Sequence, residues 1–133
     1  MDEAATWSGT MYAEIGDKSE KGKLGDCSGS TWLIYKKAGR DYGDYRPSGW
    51  FPTSGKFGEV SSPQVGDVVW WRGHVAIYAG DGMMWTAHRP GVRYDRMLVE
   101  YWSTAKPKYY RLRTECEKGV WDKIWGWIKD IIK

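Results

Sequence analysis

Apolar and polar positions change rhythm several times along the chain, and each rhythm predicts a different element. From Val65 onward the apolar residues come in short runs, Val68-Val69-Trp70-Trp71, then His74-Val75-Ala76-Ile77-Tyr78-Ala79, then Met83-Met84-Trp85-Thr86-Ala87-His88. Turns at Gly66-Asp67, Arg72-Gly73 and Gly80-Asp81-Gly82 separate them, a pattern that predicts strands joined by hairpins. Residues 97–102 and 108–113 predict one or two further strands. Earlier in the chain, 30–38 is apolar on one side and is followed by Gly39, which predicts a buried helix with a glycine stop. Residues 4–15 permit a short first helix of weak periodicity, 16–25 read as a solvated polar loop, and 41–63 as a long loop rich in Gly, Pro, Ser and aromatics. In 118–133, Val120, Trp121, Ile124, Trp125, Trp127, Ile128, Ile131 and Ile132 recur at the helical period, opposite lysines and aspartates. Helices first and an antiparallel meander after them predict an α+β domain over 1–116, followed by an amphipathic helix over 117–133.

Composition narrows the classes without choosing one. The chain has 133 residues, enough for one domain with a core of its own. Two cysteines, Cys27 and Cys116, form no disulfide framework, and the two histidines, His74 and His88, are far from both in sequence, so no zinc pattern exists. No metal or cofactor is expected. A net charge of +3 with interspersed signs contains no nucleic-acid tract, and no nucleic-acid partner is expected. Ten Trp and nine Tyr suit a core, sugar stacking or a membrane interface. The acidic start, Met1-Asp2-Glu3, lacks the features of a secretory signal, and no run is long enough to span a membrane. Synthesis in the cytoplasm without a leader is the expectation.

Candidate chemistry centres on Gly25-Asp26-Cys27-Ser28-Gly29. Asp26 is a natural N-cap for the helix that follows, which places Cys27 at the positive end of the helix dipole and favours its thiolate. A cysteine so placed is a candidate nucleophile if a histidine can reach it. His74 opens a strand after a glycine turn, and side chains two apart on a strand share a face. With Gly80-Asp81-Gly82 as the loop, Ala79 faces Met83. Counting back then sets Ala76 opposite Thr86 and His74 opposite His88. Either Thr86 or His88 would bond the far ring nitrogen of His74, and a two-residue loop would change these pairings. Tyr42, Tyr45, Trp50 and Phe51 in the long loop, with Trp85 on the return strand, are candidates for the wall of a substrate groove.

Asp26-Cys27-Ser28-Gly29, Gly66-Asp67-Val68-Val69 and the run from Gly73-His74-Val75-Ala76 to Gly80-Asp81-Gly82 together resemble the signatures of the NlpC-type cell-wall cysteine peptidases. The resemblance covers roughly residues 20–90 and implies a papain-like fold, with the nucleophile at a helix start packed on an antiparallel sheet. It further implies Cys27 as nucleophile, His74 as general base and a third polar residue on the return strand. In the family that residue falls where this chain has Thr86 and is commonly His, Asn, Gln or an acid. Thr86 departs from that pattern, so His88 is the favoured third residue and Thr86 the alternative. The family's upstream tyrosine is not carried over to Tyr12.

The function these features imply is cleavage of an amide bond in the peptidoglycan stem peptide, as an endopeptidase or an N-acetylmuramoyl-L-alanine amidase. The absence of a leader points to a phage endolysin acting on the wall after release, as a monomer. In the tail, Trp121, Trp125, Ile128 and Ile132 are candidates to face a membrane. The alternatives are an interbacterial amidase toxin and a non-enzymatic membrane-active or sugar-binding module.

Overall fold

The computed structural model describes residues 2–87 and 93–113. The first helix, Asp2–Ala5 (α1), is much shorter than the 4–15 pattern permits. Gly9 takes a φ of +88°, and its N–H and the Thr10 carbonyl bond the backbone of Tyr94 at 2.9 and 2.7 Å, which replaces helical hydrogen bonds with cross-chain ones. Met11–Tyr12 (β1) is therefore extended and pairs in parallel with Leu24–Gly25 (β2).

Cys27–Lys37 forms the main helix (α2). Asp26 caps it by accepting the Gly29 N–H at 2.7 Å, satisfying a donor that the first turn leaves free. At the other end Gly39 adopts φ +80°, which lets the Arg40 N–H return to the Tyr35 carbonyl at 2.9 Å and close the helix. Lys36 and Lys37 sit in the last turn, where the dipole favours cations.

Among the described residues, six strands form one antiparallel sheet. Phe57–Val60 (β3), Val68–Trp71 (β4), His74–Gly80 (β5), Met83–Ala87 (β6), Tyr94–Leu98 (β7) and Lys108–Leu112 (β8) lie in the order β3-β8-β4-β5-β6-β7. The meander from β4 to β7 is the expected one. Two strands differ from the sequence pattern. β3 lies inside 41–63, expected as loop, because its partner β8 is remote in sequence and Phe57 is drawn into the core against Tyr35. The strand expected over 97–102 ends at Leu98, the partner of Met83. Beyond that pair β6 offers no further partner, so Val99–Tyr101 turns into a 3-10 helix, with the Val99 N–H on the Gly82 carbonyl at 2.9 Å.

The β5–β6 hairpin is tighter than expected. Gly80 pairs with Met83 across a two-residue turn, Asp81-Gly82, whose positive φ values of 51° and 75° suit the twist of the strands. A bulge between Tyr78 and Gly80 absorbs one residue, so Tyr78 still meets Met84 and Ile77 meets Trp85. The register toward His74 is thus the one obtained by counting from the longer loop.

α2 packs on one sheet face in two clusters. Tyr35 joins Tyr42, Phe51, Phe57, Val68, Val75 and Tyr110, while Ile34 joins Ala4, Trp7, Ile77, Ala87 and Tyr94. Cys27 touches both, so burial of the helix fixes its position at the seam. A third cluster of Val69, Trp71, Ala76, Met84 and Val99 covers the alternating residues of the opposite face. Asp67, in the turn before β4, accepts a two-pronged bond from Arg111 of β8 at 2.9 and 2.8 Å and so ties that turn to the inserted strand.

Candidate active site

The start of α2 is built around Asp26. One carboxylate oxygen caps Gly29 and the other accepts the Gly16 N–H at 2.8 Å, so a single side chain joins the helix to the preceding loop. Ser19 donates to the Gly16 carbonyl at 2.7 Å and is itself buried, although 16–25 reads as a solvated connection. The approach is close enough that only glycine fits at 29: a Cβ there would fall on Ser19 Oγ and the Gly16 carbonyl oxygen.

This anchoring presents the Cys27 sulfur to the backbone N–H groups of Val75, Ser28 and Cys27 itself, all of which favour the thiolate. Burial outweighs them, with the nearby Asp26 charge adding to it, and the thiol pKa is raised rather than lowered. The helix-dipole expectation of a lowered thiol pKa is corrected on that point. Val75 is the residue after His74, so the sulfur lies beside the first residues of β5.

His74 is only 7% exposed. Its Nε2 lies 2.7 Å from Oγ1 of Thr86, which is 1% exposed. The Thr86 hydroxyl proton has the Ala87 carbonyl at 3.3 Å as an acceptor, which leaves the oxygen to accept from Nε2–H. In the tautomer this arrangement favours, the proton is on Nε2 and the basic lone pair on Nδ1. Of the two candidates for the third position, Thr86 is therefore the one seen on the imidazole, while His88 lies outside the described residues.

Two tyrosines feel the charge of Cys27. Tyr12, in β1, has its pKa pushed up to about 12 by burial and then by the charge of Cys27. Tyr45 bonds Ser28 at 2.7 Å and is likewise raised, first by burial, with Asp26 and Cys27 contributing. Tyr45 and Trp50 are half-buried, and Trp50 packs on the core cluster that Cys27 also meets. Tyr42 is not part of such a wall: at 2% exposure it is locked among Tyr35, Phe51 and Phe57, and Phe51 is fully buried beside it. Trp85 stacks on Tyr94 and packs in the cluster that also meets Tyr12 and Cys27. The aromatic and glycine-rich segment that precedes the family's cysteine is absent from this sequence, so Tyr12 is not singled out there; the structure pairs it with Gly25, two residues before Cys27.

A cleft of about 660 Å³ lined by Asp81, Glu100, Lys106 and Tyr109, among others, includes none of Cys27, His74 and Thr86. Among the described residues no three His, Cys, Asp or Glu side chains gather to hold a metal ion, and no helix is long and apolar enough to cross a membrane. Cys116 and the tail residues Trp121, Trp125, Ile128 and Ile132 lie outside the described residues.

The model of the NlpC/P60 family matches residues 9–111. Over 123 residues the chain is 28% identical to the bifunctional muramidase/DL-endopeptidase CwlT of Bacillus subtilis, covering 85% of this chain but only 36% of that protein. Among solved structures it resembles the NlpC/p60 domain of the peptidoglycan hydrolase SagA, at 29% identity and a TM-score of 0.62, over 85% of this chain and 94% of that one. The peptidoglycan hydrolase RipB from Mycobacterium tuberculosis shares the fold, with a TM-score of 0.66 at 21% identity over 85% of this chain and 63% of RipB. Since the match runs through α2 and through the strands bearing His74 and Thr86, the chain belongs to the NlpC/P60 family.

Proposed function

We propose that this chain is a peptidoglycan hydrolase that cleaves an amide bond of the stem peptide through Cys27. The observation that carries the reading is a half-buried helix-start thiol that meets the backbone N–H of Val75, the residue next to a strand-start histidine tied through Nε2 to Thr86. The relatives, a DL-endopeptidase and a peptidoglycan hydrolase, support the substrate class.

His74 Nδ1 removes the Cys27 thiol proton as the sulfur attacks the amide carbonyl. The Cys27 backbone N–H stabilises the oxyanion that forms. Imidazolium then gives its proton to the leaving amine, and a thioester remains on Cys27. Water, deprotonated by His74, attacks the thioester, releasing a carboxylic acid and restoring the thiol. The sum is one amide and one water converted to one acid and one amine.

We further propose that the protein acts as a phage endolysin, reaching the wall after release from the cytoplasm, with the amphipathic pattern of 118–133 serving contact with a membrane. The first test is digestion of purified peptidoglycan by the full chain, with soluble products identified by mass spectrometry. New amine and carboxyl ends from one stem-peptide bond are expected, and a digest without new ends rejects the reading.

A further inference from the structure

The imidazole of His74 is held by more than Thr86. The indole ring of Trp102 lies face to face with it, centroids 3.7 Å apart and planes 13° from parallel. Trp71 stands at the side, 6.0 Å from the imidazole and 6.2 Å from Trp102. The placement of Trp102 is fixed from both directions along the chain. Before it, Val99 is buried in the cluster with Trp71 and Met84, and its carbonyl accepts the Trp102 N–H at 3.1 Å. After it, the Ala105 carbonyl accepts the Trp71 indole N–H at 2.9 Å. The segment that carries Trp102 is thus pinned at the end of β4–β5, where His74 begins.

We infer that Trp102 is a positioning residue of the reaction, its indole face fixing the plane of the His74 ring. The inference rests on the reading of His74 as general base. The bond from Nε2 to the neutral hydroxyl of Thr86 holds one atom of the ring and does not by itself set the ring's plane. A parallel aromatic face at stacking distance does set it. It also offers the imidazolium formed during catalysis the negative face of a π system, in a place from which water is largely excluded. Thr86 sets which nitrogen carries the proton, and Trp102 sets the plane of the ring.

The test uses the full chain and soluble muropeptides, with kcat and KM measured for wild type, Trp102→Leu, Trp102→Phe and His74→Ala. Misorientation of the base should lower kcat of Trp102→Leu about 10–100-fold with KM within about twofold, whereas Trp102→Phe, which keeps a ring face, should recover most of the loss. In NMR spectra the wild-type His74 ring protons should be displaced upfield by the indole ring current, and the displacement should vanish in Trp102→Leu. Wild-type kcat in a folded Trp102→Leu chain would overturn the inference. If that chain does not fold, the wild-type spectrum and Trp102→Phe decide it: undisplaced His74 ring protons, or a Phe variant as inactive as His74→Ala, would also overturn it. Undiminished activity of His74→Ala would instead remove the reading of His74 on which the inference rests, a separate outcome from failure of Trp102 alone.

Discussion

Nε2 of His74 and Oγ1 of Thr86 are 2.7 Å apart, and solvent is excluded from both. Thr86→Val keeps the shape of the side chain but leaves a buried N–H without its acceptor, at a cost of about 1–3 kcal/mol. Steady-state kinetics on muropeptides should show kcat reduced on the order of 10–100-fold for Thr86→Val and nearly preserved for Thr86→Ser. Equal rates for Thr86→Val and wild type would assign the tautomer to another group.

Gly29 is the residue against which the loop of Gly16 and Ser19 closes. Gly29→Ala forces that loop and the Asp26 cap apart, and overpacking of this kind costs about 1–3 kcal/mol or more. Gly49, with open space around it, provides the control: Gly49→Ala should change stability by less than about 0.5 kcal/mol. Urea denaturation of the two variants checks the contrast, and equal midpoints would contradict it.

Alkaline pH should destabilise the fold. Burial raises the pKa of Cys27 and of Tyr12, Tyr35, Tyr42 and Tyr94 in the folded chain, so between the unfolded and folded values the unfolded chain has released a proton that the folded chain retains. Stability is then full below the unfolded values and falls as pH rises. The thiol begins at its ordinary 9.0, the tyrosines at 10.0, and the Tyr12 contribution is lost by about 12. Melting temperature should therefore be insensitive to these groups at neutral pH and decline from about pH 9 upward. A melting temperature unchanged to pH 11 would contradict this ordering.

Removal of 118–133 separates wall chemistry from membrane contact. The truncated chain should digest purified peptidoglycan at close to the wild-type rate and kill whole cells less well. Equal killing by both chains would reject a membrane role for the tail.

What was legible in the sequence was local. Asp26 before an apolar run marks a helix start, and Asp81-Gly82 between apolar runs marks a hairpin; both signals lie within a few residues of what they specify. They brought Cys27 to a helix N-terminus, put His74 on a strand and kept Thr86 within reach of it, even though the turn is one residue shorter and a bulge makes up the difference. What stayed hidden depends on pairings between remote segments. Insertion of β8 beside β3 draws Phe57, Tyr42 and Phe51 into the core, so Tyr42 cannot line a groove. The stack of Trp102 on His74 requires the end of β7 and the start of β5 to meet, which no periodicity reports. Tyr12 is extended beside Gly25 only because the backbone bonds of Gly9 and Thr10 to Tyr94 outcompete a weak helix.

The measurement that tests the central claim most directly is digestion of purified peptidoglycan by wild type and Cys27→Ala side by side, with folding of both verified by circular dichroism. The thiol mechanism requires new amine ends with wild type and none above background with Cys27→Ala. Release of the same ends at the wild-type rate by Cys27→Ala would show that the sulfur is not the nucleophile.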